Sequence, residues 1–274
     1  MAQQIIDTTT DHGTYKGDPA KVAFEKVNAN DTELYERLQT LAQLAGKNML
    51  MNCGIPINQR NFAGGALAQG SFGYDRWKGG NGGGNIVINN AGVWTLNGPV
   101  QQVVENPQLA WGRPITFSAE SPSGPIGVYM GGAVGSIPAG PGRQSVTLLA
   151  SGSGNMLVDI SAASSTTFSQ LQMERGEKAT AFEVRSIGHE LMLCQRFTRY
   201  GYVAMRANGT TNAGAGTFIA HEMRATPAVT FSNTVYAYGC SGIGSSQTKY
   251  GVEVFVSPSG NFAFASNYLF DAEL

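Results

Sequence analysis

Charge is scarce in this chain of 274 residues: Asp, Glu, Lys and Arg together make up 14%, against about 25% in an average soluble domain. Lys and Arg number 18 and Asp and Glu 19, a net charge of -1. That balance sets up no field to steer nucleic acid or an anionic membrane surface. Long apolar runs are missing, so nothing approaches the roughly 18 residues of a membrane span. The opening MAQQIIDTTTDHG has neither the basic flank nor the apolar core of a secretory signal. Three cysteines, Cys53, Cys194 and Cys240, are too few and too scattered for a disulfide framework, and the expected place of synthesis is a reducing cytosol.

Glycine is abundant, with 36 copies, and favours short strands and tight turns over charged helices. The length allows two or three compact units. One helix stands out. Asp18 is read as its N-cap and Pro19 as its first residue, and AKVAFEKVNANDTELYERLQTLAQLAG runs to Gly46 without a breaker. In heptad register Val27, Leu34 and Leu41 share one seam position, and Phe24, Asp31, Leu38 and Ala45 the other. A lone amphipathic helix fits the same spacing. The polar arm before it and the glycine-rich text after it favour a self-associating stalk, with Phe24, Val27, Leu34, Leu38 and Leu41 as oligomerisation residues.

From Asn48 onward the text is β. Short runs such as NIVINN, VWTL, PITFSAE, IGVYM, SVTLLAS and MLVDIS, punctuated by Gly, Pro, Asn and Ser, suggest an antiparallel sandwich or jelly roll. A second series, YGYVAM, GTFIAHEM, AVTFS, TVYAYGC, GVEVFVS and NFAFASNYL, follows SIGHELMLCQRF, where Ser186 is read as the cap of a short helix with Ile187, Leu191 and Cys194 turned inward and His189, Glu190, Gln195 and Arg196 at the surface. The chain is therefore expected to be mainly β: an attachment arm (1–17), a coiled-coil helix (18–47), a β-sandwich (48–185), a connector helix (186–197) and a C-terminal β tip domain (198–274).

Chemistry-bearing motifs are sparse. GGNGGGN at 79–85 has no Lys-Ser/Thr sequel and reads as a turn. A zinc-protease helix needs a second His four residues on, where His189 has Leu193. His221-Glu222 is followed by Ala225 in a strand-like stretch, and Gly152-Ser153-Gly154 fits a turn rather than a nucleophile elbow. Asp75, Glu105, Glu120, Asp159, Glu174 and Glu253 are single acids with no pairing legible in sequence. No catalytic residue, metal ligand or cofactor is expected.

Aromatic residues carry the functional reading. Trp77, Trp94, Trp111 and Tyr129 occupy the sandwich, and Tyr200, Tyr202, Tyr236, Tyr238 and Tyr250 the C-terminal series. Exposed rings stack on the apolar faces of sugars while nearby amides and acids bond their hydroxyls. Sandwich tryptophans are also common core residues. Residues two apart in a strand share a face, so Tyr200 and Tyr202 form one same-side pair and Tyr236 and Tyr238 another, as core or as binding stripe.

Three segments resemble bacteriophage tail-fibre and related virion-fibre proteins. These are GDPAKVAFEKVNANDTELYERL at 17–38; the stretch opening NMLMNCGIPINQR at 48–60, through YDRW at 74–77, to FSQLQMERGEKATAFEVRS at 168–186; and SIGHELMLCQRF with MRATPAVTF at 223–231. In that pattern the place of Asp31 is commonly apolar. The resemblance implies a trimeric, non-enzymatic virion appendage with a carbohydrate-binding-module-like jelly roll. The arm would bind other virion proteins, and Trp77, Trp94, Trp111 and Tyr129 would meet a host glycan. Tyr200, Tyr202, Tyr236 and Tyr238 would be tip receptor contacts, with no nucleic acid and no membrane insertion. A purely structural collar, head or baseplate part and a polysaccharide depolymerase are the rivals.

Overall fold

A computed structural model describes residues 5–42, 47–107, 109–207, 213–218 and 222–273; side chains at 35–42, 207, 213–218, 237, 238, 241, 258 and 259 lie outside that description. The chain divides into two compact units, Met1–Lys47 and Asn48–Leu274. No described helix is long and apolar enough to cross a membrane.

In the first unit, α1 spans Ala20–Ala42. Its first helical bond runs from the Ala23 amide to the Pro19 carbonyl, 3.0 Å, which makes Pro19 the capping position. Asp18 is therefore not the N-cap expected of it. Its carboxylate accepts instead from Lys26 Nζ, 2.6 Å, and from the Asp7 amide, 2.8 Å, tying the preceding arm to the helix. These bonds hold the Asp18 carboxyl below its usual range, the Lys26 bond foremost. Phe24 is 68% exposed and Leu34 55%, with Val27 also exposed. The helix is present, and these apolar positions on it are exposed. The side chains of Leu38 and Leu41 lie outside the described residues.

The second unit is mainly β, and its named strands pair antiparallel. Its first part is built from β1 (Gly65–Leu67), β2 (Lys78–Gly79), β3 (Gly84–Ile88), β4 (Val93–Val104), β5 (Pro114–Glu120), β6 (Ile126–Met130), β7 (Ala133–Ile137), β8 (Arg143–Leu149) and β9 (Met156–Arg175). The order is β1-β3-β4-β9-β5-β8, with β2 on β4 and β6-β7 on β9. The long strands β4 and β9 pass through both layers of a sandwich. Their pairing jumps from Leu96↔Thr166 to Gly98↔Ala162, a bulge that turns the corner. One half of β4 then pairs with β3, the other with β2. Alternate side chains from both halves, among them Ile86, Trp94, Leu96, Val100, Phe117, Val128, Ile160 and Phe168, fill one core.

Past Arg175 the chain lies back over β5 and β9 as a strap. Leu171 and Met173 point into the core, while Gln172 and Glu174 point the other way and are also buried. The Glu174 carboxylate accepts from the Thr180 amide, 2.9 Å, the Thr180 hydroxyl, 2.6 Å, and Gln172 Nε2, 2.7 Å. Gln172 in turn accepts from the Glu183 amide, 2.8 Å. The strap leads to α2, Ile187–Gln195, capped by Ser186, whose Oγ accepts from the His189 amide.

The C-terminal part holds β10 (Thr198–Ala207), β11 (Ala213–Phe218), β12 (Ala228–Thr248) and β13 (Gly251–Asp271), in the order β10-β13-β11 with β12 also on β13. A straight strand the length of β13 would carry its ends about 70 Å apart. Yet the Met223 amide bonds the Lys249 carbonyl at the hairpin turn, while the next amide, Arg224, bonds the Arg196 carbonyl and Ala272 bonds Phe197. The hairpin therefore folds back on itself and closes a second core around Val252, Val254, Phe262, Phe264 and Phe270. Its turn returns to the end of α2.

Candidate functional site

YDRW, at 74–77, is buried throughout. Trp77 and Trp94 are 0% exposed, with ring centroids 5.0 Å apart in an edge-to-face pair, and Trp94 stacks on Phe168 at 5.4 Å. Neither can meet a sugar, and the expectation for these two is corrected: edge-to-face packing at the corner of β4 uses them as core. Trp111 is half-buried. Its Nε1 donates to the Gly154 carbonyl at 3.0 Å, and its ring lies against Gly131 and Gly152. It buttresses the Gly131–Gly132 turn of the β6-β7 hairpin.

Asp75 and Arg76 join the sandwich to the C-terminal sheet. The Asp75 carboxylate accepts from the Gln59 amide, 2.9 Å, and from Gln59 Nε2, 2.5 Å, and burial pushes its carboxyl up. Arg76 is ion-paired to Glu273, donates to the Val103 carbonyl at 2.6 Å and lies 3.5 Å over the Phe197 ring; burial lowers its guanidinium. Arg60 reaches Asp271 at 3.1 Å. Arg196 at the end of α2 pairs with Glu105.

The opening of α2 is structural too. Ile187, expected to face inward, is exposed; Glu190, expected at the surface, is buried. The Glu190 carboxylate accepts the Asn52 amide and meets Arg185 at 3.3 Å. Burial holds the Cys53 and Cys194 thiols well above their usual range. His221 lies outside the described residues, and among those described no three His, Cys, Asp or Glu side chains gather as a metal site. A cavity of about 220 Å³ is lined by Asn48, Leu50, Cys53, Phe182 and Arg185. Its arginine is engaged with Glu183, 3.0 Å, Glu190 and the carbonyls of Leu50, 3.2 Å, and Asn48.

The open outer face of the sandwich gathers what the sequence had scattered. Tyr129 pairs with Val134 on β7 and with Asp159 on β9; Asp159 pairs with Gln101 on β4, Gln101 with Lys78 on β2, and Lys78 with Phe72. Directly paired residues share a face, so these side chains form one row across the strands. Tyr129 is 41% exposed. Gln101 Nε2 donates to Asp159 Oδ2 at 2.9 Å. Burial raises the Asp159 carboxyl, opposed by that hydrogen bond, and burial lowers the Lys78 ammonium. Lys78 and Arg60 lie over the Phe72 ring at 5.7 and 5.0 Å.

Of the sandwich aromatics named in the sequence, Tyr129 is the one on this row. Gln101, Lys78 and Phe72 were missed, and Asp159 stood only as an isolated acid. Strand alternation in VQQVV and MLVDIS fixes which residues share a strand face, but no signal in the sequence gives the pairing register that aligns them.

In the C-terminal sheet Tyr200 and Tyr202 lie opposite Leu269 and Asn267, on the side away from Val203 and Met205, and Tyr202 is 65% exposed. The expected Tyr236/Tyr238 pair rests on a side chain outside the described residues. A bulge between them pairs Tyr236 with Phe264 but Tyr238 with Ala263, which breaks the two-residue period. Tyr236 tilts onto Phe264 at 5.6 Å; the side chain of Tyr238 lies outside the described residues.

No protein-family model matches the chain, and no curated protein does. Solved structures show distant likenesses: discoidin II of Dictyostelium discoideum at 12% identity, over 70% of this chain and 83% of that one, with a TM-score of 0.22. A mutant oxalate decarboxylase of Bacillus subtilis follows at 7%, over 82% and 77%, TM-score 0.17, and a mutant salicylate 1,2-dioxygenase of Pseudoaminobacter salicylatoxidans at 12%, over 66% and 70%, TM-score 0.13. At these scores the likenesses decide nothing about function.

Proposed function

We propose that this chain is a non-enzymatic, glycan-binding component of a phage fibre, and that its sandwich meets the glycan on the row from Tyr129 to Phe72. The observation that carries the reading is that row: an exposed aromatic ring beside a carboxylate, an amide and an ammonium, on the outer face the strap leaves open. The Tyr129 ring offers an apolar platform for the C–H face of a sugar. Asp159 and Gln101, already joined at Oδ2, keep oxygen acceptors for hydroxyls. The virion setting is drawn from the sequence resemblance in 17–38, 48–60, 74–77 and 168–197.

In this reading α1 makes a homotrimer through Phe24, Val27 and Leu34, continuing to Leu38 and Leu41, and residues 1–17 attach it to other virion proteins. Three weak sites on one particle then bind at high effective concentration without new contacts. The tip tyrosines Tyr200 and Tyr202 stand as further receptor contacts. Retention of the purified protein on a panel of immobilised bacterial surface polysaccharides tests the reading. Wild type is expected to be retained by at least one of them and Tyr129→Ala to lose that retention; equal retention of the two would overturn it. Light scattering is expected to give three times the 28.9 kDa chain mass. A monomer at all concentrations would end the trimer.

A further inference from the structure

The shape of the open face says how a glycan would lie on it. The row from Tyr129 through Asp159, Gln101 and Lys78 to Phe72 runs perpendicular to the strands. Four inter-strand steps of about 4.8 Å make it about 19 Å long. A single sugar ring cannot touch both ends.

Beside the row runs a second one of small residues: Ser136 opposite Gly127, Gly127 opposite Ser161, Ser161 opposite Pro99, and Gly80, whose amide donates to the Pro99 carbonyl at 2.9 Å. A Cβ on Gly80 would stand 2.8 Å from Asp159 Oδ2, and one on Gly127 2.9 Å from Ser161 Oγ. The glycines thus make room for the acceptor and hydroxyl groups, and the second row is a low shelf along the first. No described side chain on it is larger than proline.

We propose that the ligand is an internal stretch of an extended, hydroxyl-rich polysaccharide, laid across the strands along this shelf, and not the terminal sugar of a chain. This rests on the glycan-binding reading above. One sugar stacks on Tyr129 beside Asp159, and the next ones follow the shelf past Gln101 to Lys78. An end-recognising site would enclose one sugar on several sides, whereas this face is a shallow track with its hydrogen-bonding groups spaced strand by strand.

The test uses the full chain and a polysaccharide retained on the panel. That polysaccharide is cut into size-fractionated fragments one to six sugars long, and each is measured with and without borohydride reduction of its end. Affinity is expected to rise at least about tenfold from one sugar to four and, for fragments of four sugars or more, to ignore the reduction. Lys78→Ala should weaken the longer fragments more than the shortest, since a short fragment reaches only Tyr129 and Asp159. Full binding by a single sugar, or loss of binding on reducing the end of a fragment of four sugars or more, would overturn the internal-chain mode while leaving glycan binding intact. Failure of every polysaccharide to be retained would overturn both.

Discussion

The two outer faces of the sandwich share the strand β9 and end in opposite states. Over β5 and the C-terminal half of β9, Gln172 and Glu174 are buried beneath residues 176–185, every carboxylate oxygen of Glu174 bonded to the strap or to Gln172. Over β2, β4, β6 and the N-terminal half of β9, Asp159 has the Gln101 amide on one oxygen and Tyr129 stands out to solvent. A carboxylate and an amide lie under the strap on one face and stay uncovered by it on the other. The difference lies in whether the chain itself returns to cover them: a buried carboxylate is tolerated only when its bonds are made inside the protein.

The comparison can be broken by substitution, and the largest effect is expected where the open face passes under the C-terminal sheet. Arg76 and Lys78 are two residues apart, but Arg76 is enclosed by Glu273, Val103 and Phe197. Arg76→Ala removes the guanidinium from the buried Glu273 carboxylate, leaving it Arg60 at 3.6 Å and the Thr198 hydroxyl at 3.1 Å, and is expected to cost about 3–5 kcal/mol in urea unfolding, with Lys78→Ala far milder. Trp94→Ala opens a cavity between Trp77 and Phe168 and should cost a similar 3–5 kcal/mol, about the usual loss for a buried tryptophan. An effect below about 1 kcal/mol at Trp94 would show that the core account of YDRW and β4 is wrong.

Glu174→Ala removes three acceptor contacts on the closed face. It is expected to cost about 1–3 kcal/mol and to speed amide exchange at Thr180 and Glu183 as the strap loosens. Tyr129→Ala on the open face should leave stability within about 0.5 kcal/mol while abolishing polysaccharide retention. If Tyr129→Ala unfolds the protein, the face is not open in the sense argued.

The smallest effect concerns pH. Burial raises the Asp159 carboxyl above its ordinary value of 3.8, so the folded state holds that proton more tightly than the unfolded state does. The stabilisation is fully present below the unfolded value and is lost as pH rises through the folded one. The stability difference between wild type and Asp159→Asn should therefore favour wild type most in acid and shrink as pH rises above the ordinary carboxylate value, read as melting temperature against pH. A flat difference would mean that Asp159 is as hydrated as a free side chain.

Much of the fold was legible because it depends on local pattern. Pro19 and the apolar spacing after it give α1, glycine-punctuated alternation gives the short strands, and Ser186 caps α2 because a serine oxygen three residues before the His189 amide needs no tertiary help. The errors fall where a distant partner decides. Asp18 bonds Lys26 and Asp7 instead of capping, Glu190 leaves the surface for the Asn52 amide, and a bulge breaks the backbone period between Tyr236 and Tyr238. Tryptophans taken for sugar platforms went into the core, since a large apolar ring gains more from burial when a matching ring is within reach.

By itself the sequence determined a helix followed by a charge-poor, glycine-rich, mainly β chain, with aromatic residues in place of catalytic motifs. Only the tertiary structure decided which aromatics face solvent. Tyr129, Asp159, Gln101, Lys78 and Phe72 are scattered over residues 72–159, and they meet because each antiparallel pairing sets its neighbour's register. A strand's alternation is written in its own residues, but the row across strands exists only once the sheet has formed.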